Sequence, residues 1–564
     1  MYLQKIKTKI EQKLRNKYNV TFIIKTNFKN DLFDLYVPLY PYQQYFKTNV
    51  KQIFTHLRQE IEVIPEIDRI FLQNSFCKIK INYSKINLFI LNDVLQKKDQ
   101  YCRKEKNDKT IIIDYSSPNI AKNFSIGHLR STVIGNTLKK IYQKLGFNVI
   151  SINHLGDWGT QFGKMILAYQ KWGKKEIILK NPINELQKLY VRFHQEVEKN
   201  PQLNDEAKEI FLKLEQKQVD VTKLWKWFKK ISLQEFHKIY SLLNVNFDYY
   251  TGESFFQNFI SEIIKELKEK KLILLDKKAY IMPLDELPTA LIQKDNGSSL
   301  YLTRDIACVI YRYKKFRFYK CLYVAGNEQK LHFKQLKKII EKMGYNLQLF
   351  HVNFGLILVN NMKISTRKNN NYKLIDIIEQ TEQEARKIIH QKNPNLNLEK
   401  IHQIAQKIAI GAIIFNDLKY DRQLDIEFNL KKMLQFEGDT GPYLQYTIVR
   451  LNSVIKKSQL PNLQIIKDWG YLDLYYKKPH YLILIRLIDN FNIILEKTKE
   501  KNMPSILARY LLELAKKSNQ FYTKEKILVD DQILKKANLL LINAVNIILK
   551  EGLKILGVPI LENM

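Results

Sequence analysis

Apolar side chains recur at steps of three and four from the start of the chain. Leu3, Ile6, Ile10 and Leu14 share one face, which predicts an amphipathic helix over the first 20 residues. Cys77-Lys-Ile-Lys-Ile81 alternates instead, as a half-buried strand does, so residues 1–105 are expected to form a small α+β domain. Thr110-Ile-Ile-Ile-Asp-Tyr115 is a short β-branched run. After a polar, turn-like segment containing Pro118, helical spacing resumes at Leu129, Val133, Ile134, Ile141 and Leu145, with Gly146 where a C-cap belongs. Phe147 to Ile152 reads as a second strand. A similar unit is predicted from strands at Lys320 to Val324 and Leu347 to Phe354, around a helix over Leu331 to Met343 capped by Gly344. Two such halves make an α/β domain with a doubly wound parallel sheet. Residues 164–290 read as a charged, largely helical insertion between the halves. From about Gln380 onward the pattern is helical almost throughout.

Composition narrows the class. Of 564 residues, 45% are hydrophobic and 12% aromatic, which suffices for several cores and excludes a mainly disordered chain. No apolar run approaches the roughly 18 residues that span a bilayer, and the first 20 residues lack the apolar core of a secretory signal. Without such a run no membrane is expected, and because Cys77, Cys102, Cys308 and Cys321 form no CxxC pair, a reducing cytoplasm is expected. The ten histidines show no HxxxH spacing, and no zinc or other protein-held metal site is expected. Lysine and arginine number 92 against 57 acidic side chains, a net charge of +35. Such an excess favours a polyanionic partner, nucleic acid ahead of a membrane surface. A coding bias toward Lys, Asn, Ile and Tyr is the competing source of part of it.

Glycine points to the chemistry. There are 18, none before Gly127, and then Gly127, Gly135, Gly146, Gly156, Gly159 and Gly163 fall close together. A chain this sparing with glycine uses it where a side chain would obstruct backbone or ligand. The turn ahead of the first predicted helix presents backbone N–H groups and the helix dipole at one sheet edge, an arrangement suited to phosphate. It reads Asn119-Ile-Ala-Lys-Asn-Phe-Ser-Ile-Gly-His128, neither GxGxxG nor a Walker loop. Asn361-Met-Lys-Ile-Ser-Thr-Arg-Lys-Asn369 is a basic, hydroxyl-bearing loop able to meet charge as it builds at phosphorus. Taken alone, the turn is equally an ordinary βα connection and the loop equally a solvated basic segment.

Longer stretches bear on both. Ser125-Ile126-Gly127-His128 resembles the HIGH element of class I aminoacyl-tRNA synthetases, and Lys363-Ile364-Ser365-Thr366-Arg367 resembles their KMSKS loop. Asp114-Tyr-Ser-Ser-Pro-Asn-Ile-Ala-Lys122, Gly127-His-Leu-Arg-Ser-Thr132 and Asn153-His-Leu-Gly-Asp-Trp-Gly-Thr-Gln-Phe-Gly163 are similar to arginyl-tRNA synthetases in particular. So, in the same order, are Tyr301-Leu-Thr-Arg-Asp-Ile-Ala307, Glu328-Gln329 with His332-Phe-Lys-Gln335, Asp439-Thr-Gly-Pro-Tyr-Leu-Gln-Tyr446, and the ending from Leu556-Gly-Val-Pro to Met564. The resemblance runs from about Asp114 to the C-terminus.

The resemblance implies a Rossmann-type catalytic domain over 106–430, preceded by a tRNA-binding domain over 1–105 and followed by an all-helical anticodon-binding domain over 431–564. It implies an arginine–tRNA ligase that makes arginyl-adenylate from arginine and ATP and passes the arginyl group to tRNA(Arg). Implied catalytic residues are His128, Lys122, Lys363, Ser125, Ser365 and Arg367. Gly127, His128, Lys122, Lys363, Ser365 and Thr366 are implied for ATP, with Mg²⁺ held mostly by phosphates and water. For arginine the implied set is Asp114, Asn119, Tyr301, Asp305, Gln329 and His154, with Asn119 and Gln329 toward the amine and Tyr301 and Asp305 toward the side chain. A guanidinium does need carboxylates and planar acceptors, and Tyr301 and Asp305 lie one helical turn apart. Asp305 alone is equally a helix-cap or salt-bridge carboxylate.

Tyr443, Tyr446, Tyr522 and Met564 are implied for tRNA, since aromatics among cations stack unpaired bases. Trp172, Trp225 and Trp227 are expected to anchor the insertion's core. A monomer is expected. Three positions depart from the family pattern: Ser125 stands for the first histidine, Asn123 for a proline and Asn369 for a glycine. They raise the alternative of a synthetase-derived RNA-binding protein without chemistry. Retention of Asn119, Lys122, His128, Asp305 and Lys363 weighs against it. The acidic pocket weighs against a class I synthetase for another amino acid.

Overall fold

The computed structural model describes residues 2–27, 32–295, 300–359, 362–363, 373–459 and 472–563. Its central sheet has five parallel strands: β1 (Thr110–Asp114), β2 (Asn148–Leu155), β3 (Tyr249–Gly252), β4 (Lys320–Tyr323) and β5 (Leu349–His351). They lie in the order β3-β2-β1-β4-β5. The chain therefore winds outward from β1 in one direction and then in the other, and a crevice opens beyond the C-terminal ends of β1 and β4. Ile111, Ile112 and Ile113 of β1 are fully buried, as an unbroken apolar run must be when both faces are covered. Helix α1 (Ile126–Lys144) packs Leu129, Val133 and Ile134 into the core on one face. Helices α2 (Tyr301–Phe316) and α3 (Lys330–Lys342) pack Leu302, Ile306, Leu336 and Ile339 into a separate core on the other. α1 ends at Gly146, whose φ of +85° is the left-handed conformation that glycine adopts without strain.

The expected insertion is helical through Thr160–Trp172, Pro182–Lys199, Leu203–Glu215 and Val219–Leu242, and again at Ile260–Glu269, but it is not helical throughout. After Leu242, β3 returns to the edge of the central sheet, and Leu274–Asp276, Ala279–Leu284 and Leu287–Gln293 form a small antiparallel sheet. These strands are short and broken by Lys and Asp, so they carry little periodicity. Trp172, Trp225 and Trp227 pack half-buried against the core.

The first hundred residues place helices Tyr2–Tyr18, Val50–Glu62 and Asn87–Lys97 with a four-stranded antiparallel sheet, and Leu3, Ile6, Ile10 and Leu14 are buried. This unit is fastened to a distant helix, Pro479–Lys501. The Asp489 carboxylate accepts the backbone N–H groups of Tyr2 and Leu3, each at 2.7 Å, and so satisfies the open N-terminus of the first helix. Arg486 Nε lies 3.0 Å from the fully buried Asp34. The remaining helices include Gly441–Lys457, Ser505–Lys524 and Gln532–Leu556. α1 rests against them through Lys144–Glu551 at 2.7 Å and Tyr142–Asn502 at 3.0 Å. Among the described residues, no helix is long and apolar enough to cross a membrane.

Candidate active site

The crevice at the switch point is a cleft of about 650 Å³. Asp114, Asn119, Gly127, His128, His154, Tyr301, Asp305 and Gln329 all line it. The turn between β1 and α1 is held in an unusual conformation: Ser116, Ser117 and Ala121 have φ of +74°, +49° and +59°. Such backbone persists only where the surroundings over-determine it. Ser116 Oγ bonds Tyr240 and Thr132, the Ser117 N–H donates to Asn153 Oδ1 and the Ala121 N–H to Ser232 Oγ. Asn119 bridges to Gly156, where a Cβ would come 1.8 Å from Asn119 Oδ1, so glycine is required for this approach.

Ser125 is the N-cap of α1. Its backbone N–H donates to His128 Nδ1 at 3.1 Å, and its Oγ lies 3.1 Å from the same nitrogen. An Nδ1 that accepts carries no proton, so this assignment makes the imidazole neutral with Nε2–H as its donor. Burial pushes the His128 pKa down to about 4, and the nearby Lys122 charge acts in the same direction. Ser125 thus does not line the cleft; it stands behind the histidine and orients it.

The carboxylates differ in how they are spoken for. Asp114 is paired with Arg312 at 2.7 Å, both nearly buried, and accepts from Ser117 Oγ at 3.1 Å. Asp305 bonds His332 Nε2 at 2.6 Å. His154 stacks on Phe256 at 5.6 Å between ring centroids, and burial lowers its pKa. A third carboxylate, Glu253, also lines the cleft, 3.3 Å from Arg304 Nη2. Burial pushes it up to about 8 against the pull of Arg304. Arg304 in turn lies over the Tyr301 ring, 4.8 Å from its centroid. Glu253 is placed by Asp157, which accepts from the Ser254 N–H, Ser254 Oγ and Lys229 Nζ. Glu253, Arg304 and Arg312 are not singled out by any sequence motif read as chemistry. The available signal was Gly252-Glu253-Ser254, a glycine in a glycine-poor chain immediately before an acid.

Lys122 does not line the cleft: its ammonium lies 5.6 Å from the Tyr190 ring centroid, toward the helical insertion. Lys363 pairs through its backbone with Leu358. Ser365, Thr366, Arg367 and Asn369 lie outside the described residues, as does Met564. Of the three tyrosines, Tyr446 and Tyr522 line one outer groove of about 730 Å³ with Lys392, Arg450, Lys457 and Lys526. The Arg450 guanidinium sits 3.7 Å from the Tyr522 ring centroid. Tyr443 is not in that groove; its hydroxyl accepts from Asn519 and joins two helices. Among the described residues, no three His, Cys, Asp or Glu side chains gather as metal ligands.

Comparison with known proteins agrees with this geometry. Residues 90–430 match the family described as tRNA synthetases class I (R), catalytic domain, and residues 444–564 match the DALR anticodon binding domain. An arginine–tRNA ligase of Exiguobacterium sibiricum is 41% identical over 94% of this chain and 93% of its own. One of Clostridioides difficile is 40% identical over 99% of this chain and 98% of its own. The crystal structure of arginyl-tRNA synthetase from Plasmodium falciparum superposes with a TM-score of 0.84 at 25% identity, covering 100% of this chain and 99% of that one. The Thermus thermophilus arginyl-tRNA synthetase shares the fold with a TM-score of 0.81 at 20% identity, over the whole of both chains. The chain belongs to the arginyl-tRNA synthetases, the class I family of arginine–tRNA ligases.

Proposed function

We propose that the switch-point cleft carries both half-reactions of arginine–tRNA ligation, with His128 serving the phosphates and Asp305, Glu253 and Tyr301 serving the guanidinium. One observation carries this division: a neutral N–H donor at the start of α1 and a group of carboxylates beside α2 face the same cleft. In the first step a carboxylate oxygen of arginine attacks the α-phosphorus of ATP; the bond to the β-phosphate breaks and pyrophosphate leaves. Charge developing on the phosphoryl oxygens faces the α1 N-terminus and His128 Nε2–H, a preorganised donor. In the second step a terminal ribose hydroxyl of tRNA attacks the activated carbonyl and AMP leaves.

Asn119 and Gln329 are assigned to the α-amino end and His154 to the pocket floor. Asp114 shares its charge with Arg312 and is the weaker reader of a guanidinium. Lys122, at the side of the turn, and the loop of Lys363, Ser365, Thr366 and Arg367 are assigned to the triphosphate. Mg²⁺ arriving with ATP would neutralise phosphate charge, and the donor set present offers no protein cage, so phosphates and water are its proposed ligands. tRNA(Arg) is assigned to the groove of Tyr446, Arg450 and Tyr522, and to the first hundred residues. Since one chain builds the cleft and the groove, we read the enzyme as a monomer; its four free thiols suit the cytoplasm.

The test is charging of purified tRNA(Arg) with arginine and ATP, with lysine and citrulline as comparators. Arginine-specific charging is expected. Tight tRNA binding without charging would favour the RNA-binding alternative instead.

A further inference from the structure

A second cavity lies at the opposite end of the central sheet. It is about 670 Å³ in volume and sits where β2 begins, at Asn148 and Val149, whereas the catalytic cleft lies beyond the far end of that strand. Seven residue steps at ~3.3 Å separate the two by roughly 23 Å. Its walls carry Arg103, Lys104, Lys106, Lys140, Lys144 and Lys554, against the single acid Glu551. That acid is occupied by Lys144 at 2.7 Å, and Lys104 is paired with Glu496. Arg103, Lys106, Lys140 and Lys554 have no ion-pair partner among the described residues.

Cations gathered in a concavity repel one another with less screening than on an open surface. Lys140 shows the effect: burial and the charges of Lys139 and Lys554 together push it down to about 8. Among the described residues its ammonium bonds the Lys554 carbonyl alone, at 3.1 Å, which caps the end of the last helix and leaves its charge uncompensated. Phe147 supplies an aromatic wall, and Gln143, Asn107 and Asn244 supply amides. The volume is that of a small-molecule site.

We infer that this cavity binds a small polyphosphate, free or carried on a nucleotide, at a site separate from catalysis. An anion there would offset the repulsion among Lys140, Lys554, Arg103 and Lys106 through charge-assisted hydrogen bonds.

The full chain would be titrated calorimetrically with inorganic tripolyphosphate while a non-reactive arginyl-adenylate analogue fills the cleft. Two double variants test the site: Lys140→Ala with Lys554→Ala, and Arg103→Ala with Lys106→Ala, the latter pair being exposed. Each should weaken tripolyphosphate at least tenfold, His128→Ala should not, and charging without tripolyphosphate should stay within twofold of the parent. ATP binding there more tightly than tripolyphosphate would identify a nucleotide; equal affinity would identify free polyphosphate. An affinity unchanged in both double variants overturns the inference. So does displacement of tripolyphosphate by an equimolar short single-stranded RNA, which would give the cavity to RNA.

Discussion

At the residue scale, His128 acts as an uncharged donor whose orientation depends on Ser125. His128→Ala should slow adenylate formation on the order of 10²- to 10³-fold, as expected for loss of one preorganised donor, with arginine affinity little changed. Ser125→Ala keeps the backbone N–H on Nδ1 and should cost much less; Ser125→His should leave the rate unchanged or raise it. The pKa near 4 also has a sign that can be checked. The folded protein resists a proton that the unfolded chain accepts from about pH 6.5 downward. The resulting stability is complete above pH 6.5 and is lost as pH falls toward 4. Thermal melting at stepped pH should show this loss, and His128→Ala should lessen it. Among the carboxylates, Asp305→Asn removes a charge and turns an acceptor into a donor, so kcat/KM for arginine should fall roughly 30- to 1,000-fold while ATP affinity holds. Normal charging by that variant would hand the guanidinium to Glu253 or Asp114. Glu253 titrates near 8, so it must lose a proton to pair with arginine. Arginine KM should therefore rise as pH drops from 8 to 6.5, and Glu253→Gln should flatten the profile.

At the scale of elements, β1, α1 and β2 were legible because each is long or apolar enough to show its period, and the boundaries read from sequence differ from those observed by a few residues at most. β3 was not, since four residues reading Tyr-Tyr-Thr-Gly carry no alternation and their pairing with β2 is a tertiary event. The cleft was legible in part for the same reason. Residues in the β1–α1 turn and at the start of α2 sit in motifs, but Arg312 looks like one cation among many until the fold buries it against Asp114. Likewise the left-handed Ser116, Ser117 and Ala121 have side chains that give no warning of positive φ. Helix Gly441–Lys457 illustrates the converse problem. Tyr443 and Tyr446 are equally plausible in sequence, yet three residues turn one into the helix interface and the other into the groove. Tyr522→Ala should weaken tRNA binding by about 1–3 kcal/mol, the range for one stacked base, and leave adenylate formation untouched. Equal tRNA affinity in a filter-binding titration would remove the groove from the interface.

At the scale of the molecule, α1 connects the cleft to the helical region: its start carries His128 and its far end is bonded to Glu551 and Asn502 through Lys144 and Tyr142. Buried pairs join the other parts as well, Arg130 with Asp417 at 3.1 Å and Arg486 with Asp34. Asp34→Ala would remove the buried carboxylate that both Arg486 and Lys80 face, and about 3–5 kcal/mol of stability should be lost from the contact between the first hundred residues and helix Pro479–Lys501. Limited proteolysis should then release an N-terminal fragment that the parent protein retains; an unchanged digestion pattern would show that apolar packing alone holds the contact. Asp489 has a consequence of another kind. The N–H groups it accepts lie 487 and 486 residues away in the chain. At about 5–20 residues per second of synthesis, the first helix waits roughly 25–100 s after leaving the ribosome before its capping carboxylate exists. Throughout that interval the start of the chain is a half-finished surface, and the enzyme closes on itself only near the end of its own translation.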